Sequence, residues 1–320
     1  MTAAQVFFAR TSQLSGTVGR SDYASLRTFV VTVSGSAVAT PGDRRSVAFG
    51  DGMPRVPAND LVSFWHGPIG WMEHMCIRSM LDTGHSLTVY MCEPRPIAPG
   101  VTVRDAGEIM PRDSSAWELL LLDCAQFADV FRYEMLAKGV GVWTDLDFYF
   151  MKNLGDQPES LYCWEKPDRI NNAILRLQAG SAELADLLAF VHRRPLWGPW
   201  WRPKHKVRQA VSIALGRPMS LAQLPKAQFG PKALTYYLGQ HGKQNLAQPS
   251  AVFYPVAPQD HADLLGSAPG CRESVEQRVT DRTIAVHLWS SEIRKVLQGS
   301  MPDPGSYLGR LYARSAALQT

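Results

Sequence analysis

The chain has 320 residues, 45% hydrophobic and 19% charged, so it can bury a sizeable core and lacks the composition of a disordered protein. Its 33 basic and 29 acidic residues leave a net charge of +4, a mild excess that suits phosphate-bearing partners; no concentrated basic tail of the nucleic-acid-binding type accompanies it. Five cysteines, odd in number and without a CxxC pair, argue against a disulfide framework or a zinc ribbon and fit reduced thiols in a cytoplasmic protein.

Residues 1–57 are rich in Ser, Thr, Ala and Gly with little periodicity, and are expected to form a disordered leader. The apolar stretch of "RTFVVTVSGSAVATPG" is short and lies behind a long polar segment, unlike a cleaved signal. Met53 stands just before the first convincing strand, so a shorter product beginning there is an expectation. No apolar run reaches the roughly 18 residues of a spanning helix.

From Asp60 the texture changes. "LVSFWHG" predicts a buried strand, and "GWMEHMCIRSMLDTGH" a helix carrying Met72, Met75, Cys76 and Met80 at helical spacing, with Gly84 as its stop. "SLTVYMC" and "VTVRDA" predict two further strands. This strand, helix, strand order is the texture of a parallel α/β sheet. One long helix is expected from Ser115 to Lys138, because Trp117, Leu121, Cys124, Ala128, Phe131 and Met135 trace one face. Asp129 and Arg132 lie on the flank of that face, three residues apart, as an exposed ion pair or as paired site residues.

The helix stops at Gly139 and "GVGVWTDLDFYFMKNL" follows, an apolar strand carrying two carboxylates. Burying an unpaired carboxylate is costly, so both charges need compensation. Strand alternation predicts Asp145, Asp147 and Tyr149 on one side, where the two carboxylates can converge on a hard cation such as Mg²⁺ or Mn²⁺. A surface Asp pair at a strand end has the same pattern. Downstream, "LYCWE", "SAVFYPVAP" and "TIAVHLWSS" predict strands. "INNAILRL", "AELADLLAFVHR" and "FGPKALTYYLGQHG" predict helical segments, and "LWGPWWRPKHK" a loop.

"FADVFRYEMLAKGVGVWTDLDFYFMKNL" resembles the DXD-type sugar-transferase family of capsule and lipopolysaccharide glycosyltransferases, mannosyltransferases and alpha-1,4-galactosyltransferases. The family pattern is roughly S-D-x-x-R-x-x-x-L-x-x-x-G-G-x-Y-x-D-x-D. Here Ala128-Asp129 stands for S-D, followed by Arg132, Leu136 and Gly139, and "GVG" stands for "GG". Trp143 replaces the aromatic residue before Asp145 and Asp147. "SFWHG", "RDAGEIMP", "INNAILR", "FGPKALTYYL" and "FYPV…AVHLW" resemble further family segments in the same order, over Leu61 to Trp289.

The resemblance implies an α/β fold of GT-A type over 58–300, a nucleotide-binding sheet flanked by helices with a smaller acceptor-side region, followed by a helical tail over 301–320. It implies a hexosyltransferase using a UDP- or GDP-sugar donor, assisted by Mn²⁺ or Mg²⁺, with retention of configuration. The acceptor would be a glycan, a lipid-linked sugar or a protein, as in polysaccharide biosynthesis, at the cytoplasmic face of a membrane or free in the cytoplasm. In this reading Asp147 ligates the metal directly, and Asp145 bonds a donor hydroxyl or reaches the metal through water. Asp129 accepts hydrogen bonds from sugar hydroxyls and Arg132 contacts the sugar or diphosphate.

Trp65 either packs in the core or stacks on the base. Asn171 or Asn172 lines the donor or acceptor pocket. His287, with Trp289 in "HLW", either completes the metal shell or sits as a satisfied core residue. The Trp- and Lys-rich "WGPWWRPKHK" segment suits sugar stacking, an anionic acceptor or peripheral contact with a membrane. Two rival classes are a metal-dependent hydrolase or phosphotransferase, for which no HExxH, GxSxG or P-loop pattern supplies the missing parts, and a non-catalytic sugar-nucleotide-binding protein.

Overall fold

Short apolar runs alternating with amphipathic helices build a central sheet whose first four strands run parallel. The computed structural model describes residues 55–317 apart from 58, 221–222 and 224–226. The expected leader therefore lies outside the described residues, except for 55–57, which form β1 (Arg55–Pro57). β2 (Asp60–Trp65), helix α1 (Trp71–Asp82), β3 (Ser86–Met91) and β4 (Val101–Asp105) follow as the periodicity predicts. All five cysteines are free.

The long helix expected over Ser115–Lys138 is broken. A 3-10 turn (Ser115–Trp117) leads into α2 (Glu118–Leu122), and α3 (Cys124–Ala137) starts afresh. The reason is Asp123, whose backbone is extended and whose carboxylate accepts hydrogen bonds from the N–H groups of Ala125 and Gln126. An Asp that caps a new helix competes with continuing the old one.

β5 (Val142–Thr144) pairs with β2, and β6 (Phe148–Phe150) leaves the sheet to pair with β10 (Ala285–His287). The expected single strand with Asp145, Asp147 and Tyr149 on one face is thus two strands joined by a turn. β7 (Asp156–Pro158) pairs with β1, and β8 (Leu161–Lys166) pairs with β9 (Arg169–Arg176). β9 is "RINNAILR", expected to be helical. Six consecutive residues of it are buried between neighbouring strands and helices, and pairing on both edges overrides its weak helical pattern. "SAVFYPV", expected as a strand, is a 3-10 turn (Ser250–Val252) and irregular chain, where Pro255 has no N–H to give a ladder.

The helical second half contains α4 (Ala182–His192), α5 (Pro203–Ala214), α6 (Pro231–Gln240), α7 (Pro269–Arg278), α8 (Ser290–Leu297) and α9 (Tyr307–Ala317). The Trp-rich segment expected to be a loop becomes helical at Pro203, a residue suited to the first helical turn. α9 buries Leu308 and Leu311 in the same cluster as Met72 and Met75 of α1, and Tyr312 packs edge-on against Trp71. The C-terminal segment therefore shares the core.

The sheet order is β4-β3-β2-β5-β9-β8, with β9 and β8 antiparallel to their neighbours. Alternation along β2 sends Val62 and Phe64 to the α3 side, among Phe127, Phe131 and Trp143. Leu61 goes to the α1 side, with Ile77, Met80 and Phe148. From β2 the chain moves outward through β3 to β4, then returns to place β5 on the other side of β2. Open α/β sheets bind ligands at the carboxyl ends of strands where the order reverses in this way.

The "GVG" segment explains its own spacing. Gly139 and Gly141 both have positive φ (66° and 117°), and a Cβ on Gly141 would lie 2.6 Å from the Asp60 carbonyl oxygen. Two glycines are needed, but around Val140 rather than adjacent. Gly141→Ala is expected to destabilise the fold by about 3 kcal/mol, through left-handed strain plus backbone collision. Urea unfolding checks this; a loss below ~1 kcal/mol would mean that β2 and β5 separate easily.

Candidate functional site

Five elements, β2, α3, β5, β9 and α8, converge at the β2 and β5 carboxyl ends around a cavity of about 420 Å³. Helical spacing on α3 puts Asp129 and Arg132 on one side, both buried. The Arg132 guanidinium bonds the Ala128 carbonyl through Nε (3.3 Å) and the Asn172 carbonyl through Nη1. Nη2 lies 3.4 Å from Asp129 Oδ1 and 3.3 Å from Asp145 Oδ1. Its carbon sits 4.6 Å from the centre of the Trp143 ring, in cation–π contact. Trp143 in turn donates from Nε1 to Asp145 Oδ1 at 2.7 Å. The Asp129–Arg132 pair is therefore no exposed ion pair but part of a shared buried network.

Asp129 Oδ1 also accepts from Asn172 Nδ2 at 2.8 Å. Gly230, at the start of α6, approaches this carboxylate so closely that a Cβ there would lie 2.8 Å from Oδ2. Tyr133, one turn along α3, donates to the Phe229 carbonyl at 2.7 Å and ties α6 to α3. The "FGPKAL" segment thus contributes a close backbone approach.

Asp145 and Asp147 occupy the turn at which the chain changes sheets. The Asp145 N–H donates to the Ala173 carbonyl (2.8 Å), and the Asp147 carbonyl accepts from the Leu288 N–H (2.9 Å). Asp147 Oδ1 lies 3.2 Å from His287 Nε2, and Oδ2 accepts from the Ser290 N–H at 3.0 Å. Burial acts to raise the Asp147 carboxyl, but the His287 imidazole and the Ser290 N–H outweigh it and hold the group well below the ordinary carboxylate range. Burial likewise disfavours a charge on His287, yet Asp147 and then Asp145 raise it above its usual value. Burial raises Asp145, against the pull of Arg132.

One ligand atom each from Asp145, Asp147 and His287 lie within 4.8 Å of one another. Two carboxylates and an imidazole form a donor set consistent with a divalent metal ion, and the buried His287 Nδ1 has no hydrogen-bond partner among the described residues.

Trp65, at the end of β2, lines the cavity with its ring half-buried and donates from Nε1 to the Pro68 carbonyl at 3.1 Å. Asn172 also lines it. Asn171 points the other way, donating to Glu165 Oε2 and accepting from the Ala173 N–H. Trp289 does not line the cavity. It packs 4.1 Å from the His287 ring, donates to the Val256 carbonyl, and has a left-handed backbone (φ 55°) that turns β10 into α8.

Sequence reasoning passed over Ser290 and Arg294, which line the cavity from one side of α8. Their i, i+4 spacing directly after "HLW" is the signal that could have found them. Arg294 is also ion-paired to Glu73, a buried residue at the start of α1.

No family model matches the chain, and no curated protein matches it in sequence. Among solved structures it is similar to one titled PaToxG Glycosyltransferase, at 14% identity and a TM-score of 0.37, over 83% of this chain and 89% of that one.

Burial pushes the Asp129 carboxyl up to about 6, in spite of Arg132 and the Asn172 amide. A carboxyl raised in the folded chain binds its proton more tightly there than when unfolded. Its contribution is therefore most favourable below the unfolded value and declines as pH rises from about 4 to about 6. The gap from 3.8 to about 6 corresponds to about 3 kcal/mol. Asp129→Asn is expected to stabilise the fold above about pH 7 by up to that amount, with the advantage vanishing towards about pH 4. Thermal melts across pH check this. A variant less stable than the parent at neutral pH would show that the Arg132 pairing outweighs burial.

Proposed function

We propose that this protein is a glycosyltransferase that moves a hexosyl group from a nucleotide-sugar donor to a hydroxyl of a glycan, lipid-linked or protein acceptor. The observation that carries the reading is the convergence of Asp129, Arg132, Asp145 and Asp147 on one cavity at the strand-order reversal, with His287 completing a cation-ligand triad. A hydrolase using the two turn carboxylates alone leaves Asp129 and Asn172 on the cavity wall without a substrate group to meet; a sugar-diphosphate ligand engages them as well.

Asp145, Asp147 and His287 would hold Mn²⁺ or Mg²⁺, which supplies positive charge to the diphosphate leaving group. Arg132 is fixed by two carboxylates, two carbonyl groups and the Trp143 ring, so it offers a preorganised guanidinium to the same developing charge. Asp129 accepts hydrogen bonds from donor-sugar hydroxyls, with Asn172 fixing its carboxylate plane. Trp65 offers an aromatic face at the cavity wall for the base. Retention of configuration and a UDP or GDP donor are the choices that the DXD resemblance favours.

Thermal melts with Mn²⁺ or Mg²⁺ and a panel of UDP- and GDP-sugars test the reading, because a ligand that binds only the folded chain raises Tm. At least one metal–donor combination is expected to shift the melt, and the same donor to release its nucleoside diphosphate during turnover. No shift with any donor, with or without metal, would overturn the proposal. Asp147→Asn is expected to lower turnover by at least about a hundredfold. The amide carbonyl can still accept from the Ser290 N–H, so the fold should persist. Retained activity would remove Asp147 from the cation site.

A further inference from the structure

Residues 187–259 contain ten Lys or Arg and no Asp or Glu, in a chain that elsewhere mixes 29 acidic residues with its bases. α5 lies in this stretch and is turned the opposite way from a typical surface helix. Its buried residue is polar: Gln209 donates to the Leu196 carbonyl (2.9 Å) and accepts from the Met219 N–H (3.1 Å), fastening the helix to the loops on either side. On the side away from Gln209 stand Val207, Val211 and Leu215, at i, i+4 and i+8, exposed by 63%, 52% and 72%. Lys204 and Arg208 flank this apolar ladder, both exposed.

A second exposed apolar point stands on α2. Leu121 and Leu122 of α2 are exposed by 90% and 52%. Cys124 and Ala125, just beyond these leucines, line the cavity.

We propose that the Val207–Val211–Leu215 face of α5 docks on an anionic lipid bilayer, lying in the interface plane. Charge complementarity selects the partner, because α5 itself carries Lys204, Lys206 and Arg208 and no acidic residue, so its own charges are attracted to a negative surface. The apolar ladder selects a bilayer over a polyanion such as nucleic acid, because phosphate contacts alone give no reason to turn Val and Leu outward. Lysine and arginine stems beside such a ladder can lie along the acyl boundary while their charges reach the headgroups. The inference goes beyond the transferase reading and does not need it.

Co-sedimentation of the full chain with vesicles tests it, comparing pure phosphatidylcholine with the same lipid carrying about 30 mol % phosphatidylserine. Binding is expected to the anionic vesicles only, and to weaken at high salt. Val211→Asp should reduce it by at least about tenfold. Lys204→Glu with Arg208→Glu should reduce it by about thirtyfold or more. All three side chains point to solvent, so the variants should melt with the parent, and the shift of a melt with metal and nucleotide sugar serves as an independent readout that they should leave unchanged. No binding, equal binding to both vesicle types, or binding indifferent to Val211→Asp overturns the proposal. So does a dimer of the parent that Val211→Asp dissociates, which would assign the face to a second copy of this chain.

Discussion

The structure turns on a guanidinium that has been taken out of water. Arg132 is buried to 5% side-chain exposure, and an uncompensated charge at that depth would cost several kcal/mol. The compensation comes from separate parts of the chain: Asp129 from its own helix, Asp145 and the Trp143 ring from the end of β5, and the Asn172 carbonyl from β9. Loss of a single partner leaves Arg132 with the others, whereas a shift of α3, β5 or β9 as a whole would break several contacts at once, and in a low-dielectric interior a half-satisfied network is worse than an apolar one. The positions of α3, β5 and β9 are therefore tied together by one charge. The close approach of α6 at Gly230 closes the remaining side.

The second carboxylate of the turn is compensated differently. Asp147 lies outside that network and is matched by elements far along the chain: the His287 ring, the Ser290 N–H and the Leu288 N–H. This requires β10 to pair with β6 and the backbone to turn at once into α8, which the left-handed Trp289 achieves. The Arg294–Glu73 pair then fastens α8 to α1. Two adjacent carboxylates thus anchor two halves of the structure, Asp145 to the sheet and α3, Asp147 to the C-terminal helices. A ligand that bridges them engages both halves at once.

Much of the fold was legible because its signals are local. α1 and the strands around it have clear periodicity and glycine stops, and β2 and β5 owe their closeness to glycines visible in "GVG". What failed depends on distant pairing. Nothing inside "INNAILR" says that β5 and β8 will flank it, so its apolar content reads as well on a helix. That error also hid the difference between Asn171 and Asn172. On a strand, neighbours face opposite ways, which sends Asn172 to Asp129 and Asn171 to Glu165. Similarly, the break at Asp123 is a competition between a cap and a continuing helix, decided by how α2 and α3 pack. The acidic pair of the turn was legible as a pair; that its members take their partners from opposite halves of the chain was not.

The mild net charge of +4 conceals a division of labour in space and in dielectric. Asp129, Arg132 and His287 are buried and partnered, so dissolved salt screens them weakly and their mutual fields stay strong. The ten basic residues of 187–259 include the exposed Lys204 and Arg208, whose influence extends into solvent by little more than a Debye length. On the two proposals, an anionic ligand in the cavity and an anionic surface beneath α5 would meet different kinds of positive charge: one preorganised and short in range, the other diffuse and salt-sensitive. Because Gln209 fastens α5 to the loops while its apolar side faces outward, that helix can engage a surface without displacing any group that holds Arg132 in place.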